Sequence, residues 1–189
     1  MSGKAALRRG ALARRDAIAG DTKRSKNARI TKYLLDLPGF QTARLVLLYA
    51  SFKSEADTLQ LIRHCLMQGK RVSVPKVDRE RVELLLYEIK SLEDLVTGYF
   101  GIPEPTASVD RLTRVQDMDL IIVPGVAFDP QCNRLGYGKG FYDKLLRLKR
   151  SPAIALAYEE QMVASIPAES HDIKMDGIIT DKGILHRHG

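Results

Sequence analysis

Three stretches of this chain are apolar for most of their length: RLVLLYA (44–50), MDLIIVPG (118–125) and PAIALAYE (152–159). A strand with one face in water alternates apolar and polar residues, so continuous apolar runs predict strands buried on both faces. Such strands need structure packed above and below them. That requirement points to a mainly parallel sheet with helices on either side.

The intervening segments supply the helices. Residues 2–19 carry Leu7, Ala11 and Ile18 at roughly helical spacing, with Ser2 as a cap and Gly20 just past the end. Asp21 is placed to cap a second helix with Ala28, Ile30, Tyr33, Leu34 and Leu37 on its apolar face, stopped by Pro38 and Gly39. Asp57 or Thr58 opens a third helix bearing Leu59, Ile62, Cys65 and Leu66, which ends at Gly69. RVSVPKV (71–77) follows as a strand, completing a unit of the length a parallel crossover requires. VELLLYEI (82–89) is close enough to it to form a hairpin. Residues 91–108 read as irregular, because Pro103 and Pro105 are incompatible with a regular helix or a central strand. A helix is expected from about Gly140 to Lys149, and DGIIT (176–180) as the last strand. With 189 residues and no repeat or low-complexity linker, the chain reads as a single α/β domain.

No apolar run reaches the roughly 18 to 20 residues that span a bilayer, so a membrane protein is not expected. Cys65 and Cys132 lie far apart without metal-type spacing, which suits a reducing cytosol; Cys65 falls on a helical apolar stripe as a core residue. The charge is uneven. Through Lys32 there are ten basic residues (Lys4, Arg8, Arg9, Arg14, Arg15, Lys23, Arg24, Lys26, Arg29 and Lys32) against Asp16 and Asp21. That segment carries +8 of a total of +7, leaving the rest near −1. A nucleic-acid-binding arm, helices that meet a phosphorylated ligand, and a solvated face all fit this pattern; a transit peptide fits poorly because the two aspartates interrupt it.

The chemistry-bearing motif is RLGYGKGFYD (134–143), where Gly136, Gly138 and Gly140 alternate with Tyr137, Lys139 and Phe141. It lies between a buried strand and a helix, at the carboxyl edge where open α/β sheets bind ligands. Alternating glycines permit close backbone approach, a helix start favours anions, and Lys139 and Arg134 add charge. The spacing is neither a P-loop, which needs Ser or Thr after Gly-Lys, nor the G-x-G-x-x-G of dinucleotide folds. A tight turn and an anion cradle both remain open, and Asp143 in a first helical turn is favourable with or without a function.

Four segments taken in order resemble the 5-formyltetrahydrofolate cyclo-ligase family over nearly the whole chain. They are K-x-x-L-R across Lys4 to Arg8; ASFKSEADT (50–58); GIPEP (101–105) leading into DLIIVPGVAFD (119–129); and RLGYGKGFYD. The resemblance implies a three-layer α/β/α Rossmann-like fold and a cytoplasmic, monomeric enzyme. It implies that 5-formyltetrahydrofolate, ATP and Mg²⁺ are used to make 5,10-methenyltetrahydrofolate, ADP and phosphate. It assigns Lys4, Arg8 and residues Arg134, Leu135, Gly136, Tyr137, Gly138, Lys139, Gly140, Phe141 and Tyr142 to ATP. Ala50, Glu55 and residues 137–141 are assigned to the folate, with Glu55 accepting hydrogen bonds from the pterin. Asp143 and Asp172 are assigned to Mg²⁺, and Lys139 to neutralising the transferring phosphoryl group. Phe141 stands where the family more often has Tyr. No Ser-His-Asp or Cys-His arrangement is present, and His64, His171, His186 and His188 read as unremarkable. A nucleic-acid partner is not expected, since the chain has no Trp, is 6% aromatic and lacks a stacking or groove-reading motif.

Overall fold

The apolar runs form the centre of an eight-stranded sheet in the computed structural model, which describes residues 3–167, 169 and 172–187. In chain order the elements are α1 (Gly3–Asp16), α2 (Gly20–Leu35), α3 (Pro38–Thr42), β1 (Leu45–Leu47), α4 (Leu59–Met67), β2 (Arg71–Asp78), β3 (Glu83–Ile89), β4 (Leu95–Thr97), β5 (Pro103–Pro105), β6 (Leu112–Thr113), β7 (Leu120–Val123), β8 (Ala127–Phe128), β9 (Arg134–Leu135), α5 (Phe141–Leu146), β10 (Ala153–Leu156), β11 (Gly177–Thr180) and β12 (Gly183–His186). The large sheet runs β12-β11-β10-β7-β1-β2-β3-β6. Its five inner strands are parallel; β12 closes one edge antiparallel to β11, and at the other side β3 runs antiparallel to β2 and pairs antiparallel with the edge strand β6.

Alternation along the strands explains why they must be apolar throughout. Val46 and Leu48 pack with Ile30, Leu34, Phe40 and Ile62 on one face. Leu45 and Leu47 pack with Phe128, Leu145, Leu146 and Ile178 on the other. Each of these buried side chains contributes roughly 1.5–3 kcal/mol of transfer free energy. Cys65 is buried in the first of these cores, as its helical position implies.

Several boundaries differ from the sequence expectation. Pro38 and Gly39 do end α2, but Pro38 also occupies the first turn of a short α3, where its missing N–H costs nothing. Asp21 lies inside α2 and its carboxylate bonds Arg24, while Ala19 sits at the cap position. The helix expected over 140–149 spans only Phe141–Leu146, because its last turn tightens to bonds such as Leu148 N to Leu145 O at 3.1 Å. The strand over 176–180 is not the last: β12 pairs with it antiparallel and closes that edge. Residues 91–108 are not wholly irregular either. Leu95–Thr97 and Pro103–Pro105 form a small two-stranded ribbon apart from the main sheet, where the prolines leave no central ladder bond unmade. His186 is exposed on β12, and Ser2, His171 and His188 lie outside the described residues.

The hairpin β8–β9 leads into the glycine loop. Asp129, fully buried, fixes its turn by accepting from the amides of Gln131 and Asn133, both at 3.0 Å, and from Ile166 N at 2.8 Å. Helix α1 packs Ala11 against Val126, Ala127, Leu135 and Ile166 of this region. That contact lays the basic first helix across the glycine loop.

Candidate active site

A cavity of about 580 Å³ opens beyond the carboxyl ends of β1 and β7. Each residue singled out from the sequence lines it: Lys4, Arg8, Ala50, Glu55, all of 134–143, and Asp172. Its volume lies in the range of small-molecule sites.

Arg8 ties α1 to the loop, its Nε donating to the Gly136 carbonyl at 2.8 Å. Gly138 and Gly140 take left-handed backbone, with φ of 97° and 71°. A side chain at either position would be strained, and a Cβ on Gly138 would also meet the Arg8 guanidinium at 3.6 Å. The glycines are therefore required by the turn itself, and the turn exposes Lys139. Among the described residues Lys139 has no hydrogen bond or ion pair.

The carboxylates expected at a metal are both held by cations. Asp143 Oδ1 accepts from Arg134 at 2.7 Å, and Arg134 also donates to Pro124 O at 3.3 Å while its Nε is buried without a partner. Asp172 accepts from Lys4 at 3.0 Å, and Glu169 accepts from the same ammonium at 2.9 Å. Partial desolvation of Lys4 works against its charge, but the bonds to Glu169 and Asp172 outweigh it and hold the ammonium above its usual range. Among the described residues no three His, Cys, Asp or Glu side chains gather into a cage for a metal. Two carboxylates on a wall that also carries Lys4, Arg8, Arg134 and Lys139 nevertheless have the donor chemistry of an Mg²⁺ site, since that ion keeps several waters and takes one or two carboxylates together with phosphates.

A second cluster gathers around Glu55. The turn after β1 is knotted by reciprocal bonds, Ser51 N to Thr58 Oγ1 at 2.9 Å and Thr58 N to Ser51 Oγ at 3.1 Å. This brings the Phe52 amide within 3.0 Å of Glu55 Oε2, while Tyr137 donates to Oε1 at 2.9 Å. Burial raises the Glu55 carboxyl above its ordinary value, against the opposing bonds of the Phe52 amide and Tyr137 and the charges of Arg15 and Lys23. The Tyr137 hydroxyl is itself pushed up to about 12, by burial first and then by Glu55. Phe52, Tyr99, Phe100 and Ile102 complete the wall as an apolar surface. Phe100 is 70% exposed with a left-handed φ of 57°, a strained backbone of the kind found at ligand sites.

Sequence reasoning missed Arg15, Glu104 and this aromatic wall. Arg15 is indistinguishable in sequence from nine other early cations. Glu104 stands in the GIPEP segment, buried at the Gly98 turn, where a Cβ on Gly98 would fall 2.2 Å from its carboxylate. A buried acid inside a proline-flanked motif was the one signal available.

A Rossmann-like α/β enzyme is the class that this sheet and its edge define. More particularly, the chain belongs to the 5-formyltetrahydrofolate cyclo-ligase family, whose model matches residues 1–181. It is 34% identical over 155 residues to the 5-formyltetrahydrofolate cyclo-ligase of Haemophilus influenzae, covering 79% of this chain and 82% of that one. It is 30% identical over 172 residues to the Escherichia coli K12 enzyme of the same name, covering 88% and 94%. The solved structure of 5,10-methenyltetrahydrofolate synthetase from Aquifex aeolicus superposes with a TM-score of 0.88 at 33% identity, covering 98% of this chain and 93% of that one.

Proposed function

We propose that this protein, as one cytoplasmic, monomeric domain, catalyses the ATP- and Mg²⁺-dependent cyclisation of 5-formyltetrahydrofolate to 5,10-methenyltetrahydrofolate, releasing ADP and phosphate. The observation that carries the reading is that residues as distant in sequence as Lys4, Glu55, Lys139 and Asp172 line one cavity. No helix among the described residues is long and apolar enough to cross a membrane.

The formyl group is amide-like, so its oxygen is a poor leaving group. Transfer of the terminal phosphoryl of ATP to that oxygen gives an iminium phosphate. The second folate nitrogen then attacks the formyl carbon, the ring closes, that nitrogen loses its proton to solvent, and phosphate departs. Such a reaction is served by positioning and by neutralisation of charge, without a protein nucleophile. Lys4, Arg8 and Arg134 bind the polyphosphate, together with the loop amides between Leu135 and Tyr142. Lys139, with no competing partner among the described residues, meets the transferring phosphoryl group. Asp143 and Asp172 would hold Mg²⁺, which when bound would supply charge neutralisation on the phosphates. Ala50, Glu55, Tyr137 and the ring of Phe141 contact the folate, Glu55 accepting from the pterin N–H groups.

Mixing the protein with 5-formyltetrahydrofolate and Mg-ATP is expected to produce the near-ultraviolet absorbance of the methenyl product. No product, together with tight salt-dependent RNA or DNA binding, would favour a nucleic-acid-binding role instead.

A further inference from the structure

Arg15, on the last turn of α1, is only 3% exposed and lines the cavity beside Glu55. Its three nitrogens stand in different situations. Nε donates to Ser54 Oγ at 2.9 Å, and the Ser54 hydroxyl in turn bonds Asp16. One terminal nitrogen donates to the Tyr137 hydroxyl at 3.1 Å. The other, NH1, is buried without a partner among the described residues. A guanidinium N–H removed from water without an acceptor is costly and calls for an acceptor that the protein itself does not supply.

The acceptor's identity follows from what Arg15 faces. The Tyr137 hydroxyl accepts from Arg15 and donates to Glu55 Oε1 at 2.9 Å, so a fixed donor and a fixed acceptor oppose each other across one oxygen. The bond from Phe52 N to Glu55 Oε2, at 3.0 Å, keeps the carboxylate from turning away. The pyrimidine edge of a reduced pterin carries N–H donors on its 2-amino group and N3, and next to them the carbonyl oxygen at C4. Glu55 complements the donors but cannot complement the oxygen.

We propose that Arg15 reads the 4-oxo group of the pterin, its NH1 donating to that oxygen while Glu55 accepts from the adjacent N–H groups. The inference rests on the folate assignment of Glu55 given above. Arg15 is thereby a specificity-determining residue: a ligand with an amino group at C4 sets a donor against a donor, and a site built around a buried donor rejects such a mismatch strongly.

The test measures equilibrium binding of 5-formyltetrahydrofolate and of its 4-amino-4-deoxy counterpart to the full chain, with thermal melting followed for each variant. Wild type is expected to prefer the 4-oxo compound. Arg15→Met should lose at least tenfold in affinity for it while leaving the 4-amino compound unchanged, so that the preference narrows by that factor; what remains belongs to Glu55, because the 4-amino compound also lacks the N3–H donor. Ser54→Ala, which removes the tether but not the free donor, should keep the preference. If Arg15→Met does not fold, Arg15→Lys, which retains charge without the planar fork, should show a smaller narrowing. Equal weakening of both ligands, or an unchanged preference in the folded Arg15 variants, overturns the proposal. Glu55→Gln separates the two readings. Weaker folate binding there, with preference intact in the Arg15 variants, leaves the folate assignment standing and sinks the role of Arg15. No effect at Glu55 sinks both.

Discussion

Lys4 and Asp172 are hydrogen-bonded at 3.0 Å although 168 residues separate them. Arg134 and Asp143 repeat the arrangement at 2.7 Å. In each pair, the cation assigned to phosphate neutralises the carboxylate assigned to Mg²⁺. On the roles proposed above, metal and polyphosphate would compete with the same internal bonds, and each would free a partner for the other. Asp172→Asn should bind metal-free ATP about 2- to 5-fold more tightly, the range expected for release from a partly exposed ion pair, with Glu169 still holding Lys4. The same variant should bind Mg-ATP more weakly. Calorimetric titration with and without Mg²⁺ checks both signs, and weaker binding in both arms would rule out the exchange.

Lys139→Ala should lower kcat about 10²- to 10³-fold, as loss of one preorganised charge at a transition state does. Its side chain is exposed and has no partner among the described residues, so stability should stay within about 0.5 kcal/mol. Steady-state kinetics and thermal melting decide together; wild-type turnover would remove the lysine from the mechanism.

Gly136→Ala acts through a neighbour. A Cβ there lies 2.9 Å from the Arg134 terminal nitrogen that donates to Pro124 O, and moving it swings the planar guanidinium and loosens the bond of its other terminal nitrogen to Asp143. The expected result is weaker ATP binding with little change in melting temperature, because the displaced group is the tip of a flexible side chain. A variant that binds ATP as well as wild type would show that Arg134 does not contact the nucleotide.

Glu55 gives a pH dependence with two opposite signs. Its carboxyl titrates above the ordinary 4.5, chiefly because it is buried. Only the ionised form can accept from two N–H groups, so folate affinity should fall as pH drops through that raised pKa. The folded state also takes up the proton more readily than the unfolded chain. Over the same window, Glu55 should therefore make the ligand-free fold more stable as pH falls. Glu55→Gln should flatten both curves. A folate affinity that is flat with pH in wild type would contradict the assignment.

Lys26 anchors α2 to the end of β11 through Asp181 at 2.7 Å, with Glu160 at 3.0 Å. Burial opposes both charges, but their mutual bond lowers the Asp181 carboxyl and raises the Lys26 ammonium. The stabilisation is thus present between the two pKa values. It is lost below the ordinary aspartate range as Asp181 protonates, and above about pH 10.5 as Lys26 deprotonates. Lys26→Met should cost about 3 kcal/mol, the low end for stranding one member of a buried pair, read from denaturant unfolding near neutral pH.

The same contacts explain a charge excess that the sequence left open. Lys4, Arg8 and Arg15 belong to the cavity, Lys26 binds Asp181, and Arg14 donates to Glu160 O at 2.7 Å. Half of the ten early cations are thus docking or site residues. Their partners at 136, 160, 172 and 181 are too far away in sequence for any periodicity to reveal.

The sequence by itself determined the layered sheet, since runs such as 44–50 and 118–125 can be buried only between two cores, and it located the loop, whose glycines answer to local backbone conformation. These are short-range consequences of side-chain polarity and φ, legible within a few residues. The convergence on one cavity was legible only through the family resemblance, and the order of the edge strands not at all. Only the tertiary structure decided that Arg15 faces Glu55 across Tyr137, or that Lys4 holds Asp172, because these pairings depend on where α1 packs against the β8–β9 hairpin. Burial then gives one arginine among ten early cations an environment that its sequence neighbours do not share.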